Sequence, residues 1–108
     1  MLRGLESFVT WLCEREHADV GSPHRCFDCP LARYLSETTG RLWGVDAPYY
    51  GPASMETYQW TVLPLWARLF VSSTDTAQFP SLTGAQALDV LASIELRLTS
   101  SAFCSLAA

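Results

Sequence analysis

Lysine is absent from this chain of 108 residues: all seven basic residues are arginines, standing singly at Arg3, Arg15, Arg25, Arg33, Arg41, Arg68 and Arg97. With no cation cluster to follow a phosphate backbone, and a formal net charge of −4, the sequence carries no footprint for direct nucleic-acid binding. Long hydrophobic runs are also missing. The most apolar stretch, residues 62–71, is broken by Pro64 and Arg68 and falls far short of a membrane span, and no apolar core of signal-peptide type follows Met1-Leu2-Arg3-Gly4. Histidine is scarce, with His17 and His24 the only two. No glycine-rich loop follows a strand, no Ser–His–acid set stands in a recognisable context, and Asp46, Glu56 and Asp75 are isolated carboxylates. These absences point to a cytoplasmic protein without catalytic activity and without a membrane partner.

What is present is a globule. A length of 108 residues is one domain by the usual prior, and 49% apolar against 17% charged residues is the balance of a folded chain. Four tryptophans, four tyrosines and five phenylalanines bring large contact areas to a small core. The acidic residues Glu14, Glu16 and Asp19 gather at one helix end, as a solvated surface or as a weakly acidic face for a basic partner.

Residues 2–16 read as an amphipathic helix with Leu2, Leu5, Val9, Leu12 and Cys13 on one face and Phe8 beside them. Pro30 has no N–H to lose at a first helical position, so a second helix starts there with Cys29 as its N-cap, buries Leu31, Tyr34 and Leu35, and stops at Gly40. Leu42, Trp43 and Val45 suggest a short strand, Pro48-Tyr49-Tyr50-Gly51-Pro52 reads as an exposed turn, and residues 57–62 alternate as a second short strand; an irregular loop would serve as well. Pro64 opens a third helix, apolar on most sides through Leu65, Trp66, Leu69 and Phe70, which makes it the central one. Thr83-Gly84-Ala85-Gln86 has the capping-box spacing, and the helix it starts turns Ala87, Leu88, Leu91, Ile94 and Leu98 inward. The expected fold is therefore mainly α: a single domain over residues 1–108, a compact bundle of about four helices with at most a small two-strand ribbon between the second and third, and a loosely ordered tail over 99–108.

Cys29-Pro30-Leu31-Ala32-Arg33-Tyr34-Leu35 and the later Leu63-Pro64-Leu65-Trp66-Ala67-Arg68, together with Val20-Gly21, Asp75 and Ala87-Leu88, resemble small uncharacterised bacterial and phage proteins with a Cys-Pro-Leu-Ala helix start and a Pro-x-Trp-Ala helix. The resemblance spans about residues 5–91 and implies no known activity; Cys26 is not part of that pattern.

Three chemistries compete. Cys13 and His17 share a helix face at a spacing of four, and Cys26-Phe27-Asp28-Cys29 has the spacing of a zinc half-site, so the four could close a structural zinc centre with His24 as a spare ligand. The same residues also read as structural thiols, because Cys13 falls in an apolar stripe and Cys29 is accounted for as a cap. Cys26 and Cys29 alternatively form a thiol-redox pair, although no strand precedes them and only the second lies at the helix start, while Cys104 reads as an exposed bystander. The third reading is protein binding without a cofactor. Tyr49 and Tyr50 sit between prolines on a stiff turn, with Met55 and Tyr58 nearby, and tyrosines held this way bring contact area at low entropic cost. On size, acidity and resemblance, such a protein suits an adaptor, a regulator or a phage-type inhibitor of a host or defence protein, anti-CRISPR-like in kind.

Overall fold

The computed structural model describes residues 5–23, 25–76 and 80–102, without the side chains of Thr76 and of residues 95–102. Its elements run α1 (Leu5–Cys13), β1 (Asp19–Gly21), α2 (Pro30–Thr39), β2 (Trp43–Asp46), β3 (Tyr49–Pro52), a 3-10 turn at Thr57–Gln59, β4 (Thr61–Val62), α3 (Leu65–Thr76), β5 (Leu82–Thr83) and α4 (Gly84–Ala102). Strands β2, β3 and β4 form an antiparallel sheet in that order, and β1 pairs with β5 in a second, two-stranded sheet. The expectation of a helical bundle with at most a two-strand ribbon is thereby corrected: the fold is mixed α/β.

The correction has a local cause in the segment Pro48-Tyr49-Tyr50-Gly51-Pro52. Two prolines around a glycine suggest a turn, yet this segment supplies the middle strand of the larger sheet, and the turn lies just before it, with a cis Ala47–Pro48 bond. Pro52 pairs with Trp43, whose own N–H points off the sheet edge to Ser36 Oγ at 3.0 Å. That pair exchanges no hydrogen bonds, so the donor missing from proline faces the side where β4, paired only at Tyr49 and Tyr50, has already ended. The ladder resumes one residue later with Ala53 N–H donating to Leu42 O at 2.8 Å. The outer edge of β2 is covered as well, since Val45 N–H donates to Cys26 O at 2.8 Å.

The helix ends follow local chemistry closely. α2 starts at Pro30 with Cys29 as an extended N-cap and stops at Gly40, whose left-handed φ of 76° lets its N–H reach Ser36 O. At the start of α4 the capping box forms as expected: Thr83 N–H donates to Gln86 Oε1 at 2.9 Å, and Gln86 N–H donates to Thr83 Oγ1 at 3.2 Å. The first amides of α4 also close off the chain after α1, with Gly84 N–H on Arg15 O and Ala85 N–H on Glu16 O. Among the inward residues expected on α4, Ala87, Leu91 and Ile94 are buried and Leu88 partly so.

Two helix faces differ from expectation. In α1 the buried residues are Phe8, Trp11 and Leu12, while Cys13 is exposed, so the stripe is rotated toward the aromatic side chains. Phe8 is the hub, with Trp11, Tyr34, Trp66 and Phe70 all within 6.2 Å ring to ring. α3 is amphipathic rather than central. It buries Ala67 and Phe70 but leaves Leu65 52% exposed and Trp66 and Leu69 half-covered, because the deepest positions are taken by Phe8 and Leu12 of α1 and by Leu31, Ala32 and Leu35 of α2. Leu2, His24, the side chain of Leu98, Cys104 and residues 103–108 of the expected tail lie outside the described part; the backbone of α4 continues helically through Ala102. No helix among the described residues is long and apolar enough to cross a membrane.

Candidate functional site

Alternation along the strands divides the larger sheet into two faces. Trp43, Val45 and Tyr50 point into the molecule and are at most 7% exposed, with the Trp43 and Tyr50 rings stacked at 5.9 Å. The outward positions are Gly44 and Asp46 on β2, Tyr49 and Gly51 on β3, and Val62 on β4. Tyr49 pairs in register with Asp46 on one side and Val62 on the other, so their side chains stand next to each other.

The two outward glycines form a seat. A Cβ on Gly51 would lie 2.3 Å from Trp60 Cδ1, and one on Gly44 would lie 2.6 Å from Trp60 Cη2 and 2.8 Å from Phe27 Cε1. The Trp60 indole therefore lies flat across the strands, anchored by its N–H, which is shared between Pro52 O and Met55 O at 3.2 Å each. Phe27 meets it from the other edge and stays 48% exposed. The outer face thus carries Phe27, Trp60, Tyr49 and Val62 side by side, with Tyr49 47% and Val62 51% exposed and Asp46 as the charge beside them.

Of the four residues expected to meet a partner, Tyr49 lies on this face. Met55 and Tyr58 are exposed on the connection leading to Trp60, Tyr58 at 82%. Tyr50 is instead a core residue, because it is one step out of phase with Tyr49 on the same strand. Phe27 and Val62 belong to the surface and are not singled out by sequence reasoning, whereas Trp60 is a buried residue, only 8% exposed. The signal that could have found them is glycine inside strand-like segments, at Gly44 and Gly51, which marks where another group approaches the backbone.

The cysteines are arranged differently from the zinc expectation. Cys13 is exposed and the side chain of His17 is 91% exposed, while Cys26 and Cys29 line a separate cleft of about 220 Å³ between the start of α2, the β2–β3 turn and α3. Among the described residues no three His, Cys, Asp or Glu side chains gather around a common point, so the set Cys13, His17, Cys26 and Cys29 does not come together. Cys26 and Cys29 are free thiols. Burial pushes the Cys29 thiol up to about 11, further raised by Cys26 and Asp75 and only partly offset by the N–H groups of Ala32 and Leu31. Burial likewise pushes the Cys26 thiol up, with the Asp46 carboxylate adding to it and the Val45 N–H opposing. Both shifts disfavour the thiolate on which nucleophilic redox chemistry depends.

A third feature opens where β3 runs on past its pairing with β4. It is a cleft of about 340 Å³ walled by Trp43, Tyr50 and Trp60, with Met55, Arg41 and Thr61 at its margin. Comparison of this chain with models of known protein families, with curated proteins and with solved structures finds no match.

Proposed function

We propose that this chain is a protein-binding domain without catalytic activity, and that the outer face of the β2–β3–β4 sheet is the surface that meets its partner. The observation carrying this reading is the continuous apolar row of Phe27, Trp60, Tyr49 and Val62, three of them about half exposed. Apolar residues scattered singly over a surface need no explanation, but several adjoining on one sheet face are the usual mark of an interaction site. Tyr49 is held in a central strand, so its ring brings contact area with little further entropy to lose. Met55 and Tyr58 extend the surface beyond the sheet.

The chemistry of the partner follows from what surrounds the row. Asp46 stands beside Tyr49, the chain is acidic overall, and its arginines are dispersed, which favours a protein surface with cations around an apolar centre over a nucleic acid. An adaptor, a regulator or a phage-type inhibitor of a host or defence protein fits this description, the last being the role most in keeping with the sequence resemblance. A reducing, cytoplasmic setting suits the free thiols Cys13, Cys26 and Cys29. The test is the double variant Tyr49→Ser/Val62→Ser. Both residues are about half exposed, so its thermal melt stays within a few degrees of wild type, while the proteins captured specifically from a lysate of the native host by the immobilised wild-type chain are no longer retained. Unchanged capture by the folded double variant overturns the proposal.

A further inference from the structure

The cleft at the end of β3 is a different kind of place from the outer row: concave, small and carrying a charge of the opposite sign. Its walls are rigid. Trp43 and Tyr50 stack on each other, Trp43 Nε1–H donates to Thr39 Oγ1 at 2.8 Å, and the Trp60 indole N–H is shared between two carbonyls. Both indole donors are thus already used, and what the cleft offers a visitor is aromatic surface. Trp43, Tyr50 and Trp60 are each no more than 8% exposed, so the aromatic area open to a visitor is small and suits a single ring at most. Met55, 42% exposed at the margin, supplies a side chain that can adapt its shape to such a group.

Among the described residues, Arg41 is the one charged residue lining this cleft. Its guanidinium lies 6.0 Å from the Trp43 ring centroid, and its hydrogen bond to Ser54 Oγ is long at 3.5 Å. Among the described residues it has no carboxylate partner, whereas Arg15 is paired with Glu14 and Glu37, and Arg33 with Asp28. Gln59 and Thr61 add an amide and a hydroxyl on the same margin. A fixed aromatic wall with an uncompensated planar cation at its lip is complementary to a ring that carries a carboxylate.

We propose that this cleft binds a small aromatic carboxylate, its single ring against the walls formed by Trp43, Tyr50 and Trp60 and its carboxylate on Arg41. A volume of about 340 Å³ is at the small end of ligand pockets, which suits one ring and a short acid arm. Tyr49 and Val62, which carry the test of the partner-binding face, do not line this cleft, although Trp60 borders both.

The probe is 3-phenylpropionate, followed through the indole N–H resonances of Trp43 and Trp60, with 3-phenylpropionamide and propionate as comparisons. The expected result is a saturable shift of both resonances by the acid, binding about tenfold weaker for the amide, and no shift with propionate. Arg41→Gln, at an exposed position that leaves the fold intact, brings the acid down to the affinity of the amide; Tyr49→Ser leaves all three unchanged. Absence of a saturable shift with the acid, equal binding of acid and amide, or an acid preference that survives Arg41→Gln overturns the proposal.

Discussion

Burial sets the chemistry of Cys29 more strongly than its place at a helix start. Its thiol is raised from an ordinary 9.0 to about 11, so it stays protonated where an exposed cysteine begins to ionise. In the unfolded chain the same thiol loses its proton near 9. Between pH 9 and about 11 the unfolded state has therefore released a proton that the native state keeps, and stability falls as the pH rises through that window, by roughly 2–3 kcal/mol for this group. Denaturant melts across the window should show a shallower decline for Cys29→Ala than for wild type; identical slopes would contradict a buried, raised thiol. Two tryptophans make a second comparison at this scale. Trp66 Nε1 is buried with no hydrogen-bond partner among the described residues, while Trp43 Nε1–H reaches Thr39 Oγ1. Tryptophan-to-phenylalanine removes the same atoms at each site, so Trp43→Phe should cost about 1 kcal/mol more than Trp66→Phe in chemical denaturation. Equal costs would mean that the Trp43 hydrogen bond contributes nothing net.

At the scale of elements, the glycine seat under Trp60 explains why the outer face of the sheet stays flat and apolar. A methyl group at Gly51 would meet the indole at 2.3 Å, so Gly51→Ala forces Trp60 off the strands and should cost about 1–3 kcal/mol. With Trp60 already shortened to leucine, the same alanine should cost much less, and a double-mutant cycle in denaturant measures the coupling. Additive effects would show that the ring does not rest on Gly51. The elements legible in the sequence are those whose ends are fixed by neighbours in the chain: Pro30 and Gly40 bound α2, and Thr83 with Gln86 starts α4. The middle strand is not legible in this way. Whether Pro52 breaks a strand depends on which edge its missing N–H faces, and that is settled by Trp43, Ser36 and the early end of β4, all remote from the proline in sequence.

At the scale of the whole molecule, the aromatic residues do two separate jobs that composition alone does not divide. One set closes the core around Phe8, bringing α1, α2 and α3 together through Trp11, Tyr34, Trp66 and Phe70. The other lies on the larger sheet and is split by strand alternation into an inner pair, Trp43 and Tyr50, and the outer row with Tyr49. The sequence places an aromatic surface around Tyr49 but gives Tyr50 the same role, since adjacent residues diverge only once the segment is a strand. Phe27 is invisible as a surface residue because it belongs to the loop before α2 and reaches the sheet only through the space left by Gly44. The Cys26–Cys29 spacing reads as metal or redox chemistry, and in the fold it frames that same phenylalanine. The measurement that bears most directly on the whole account is cross-saturation NMR of the chain bound to the partner it captures. Saturation transferred to Phe27, Tyr49, Trp60 and Val62, and little to the exposed positions of α1 and α4, is the predicted result; transfer confined to those helices, with the sheet face untouched, would contradict it.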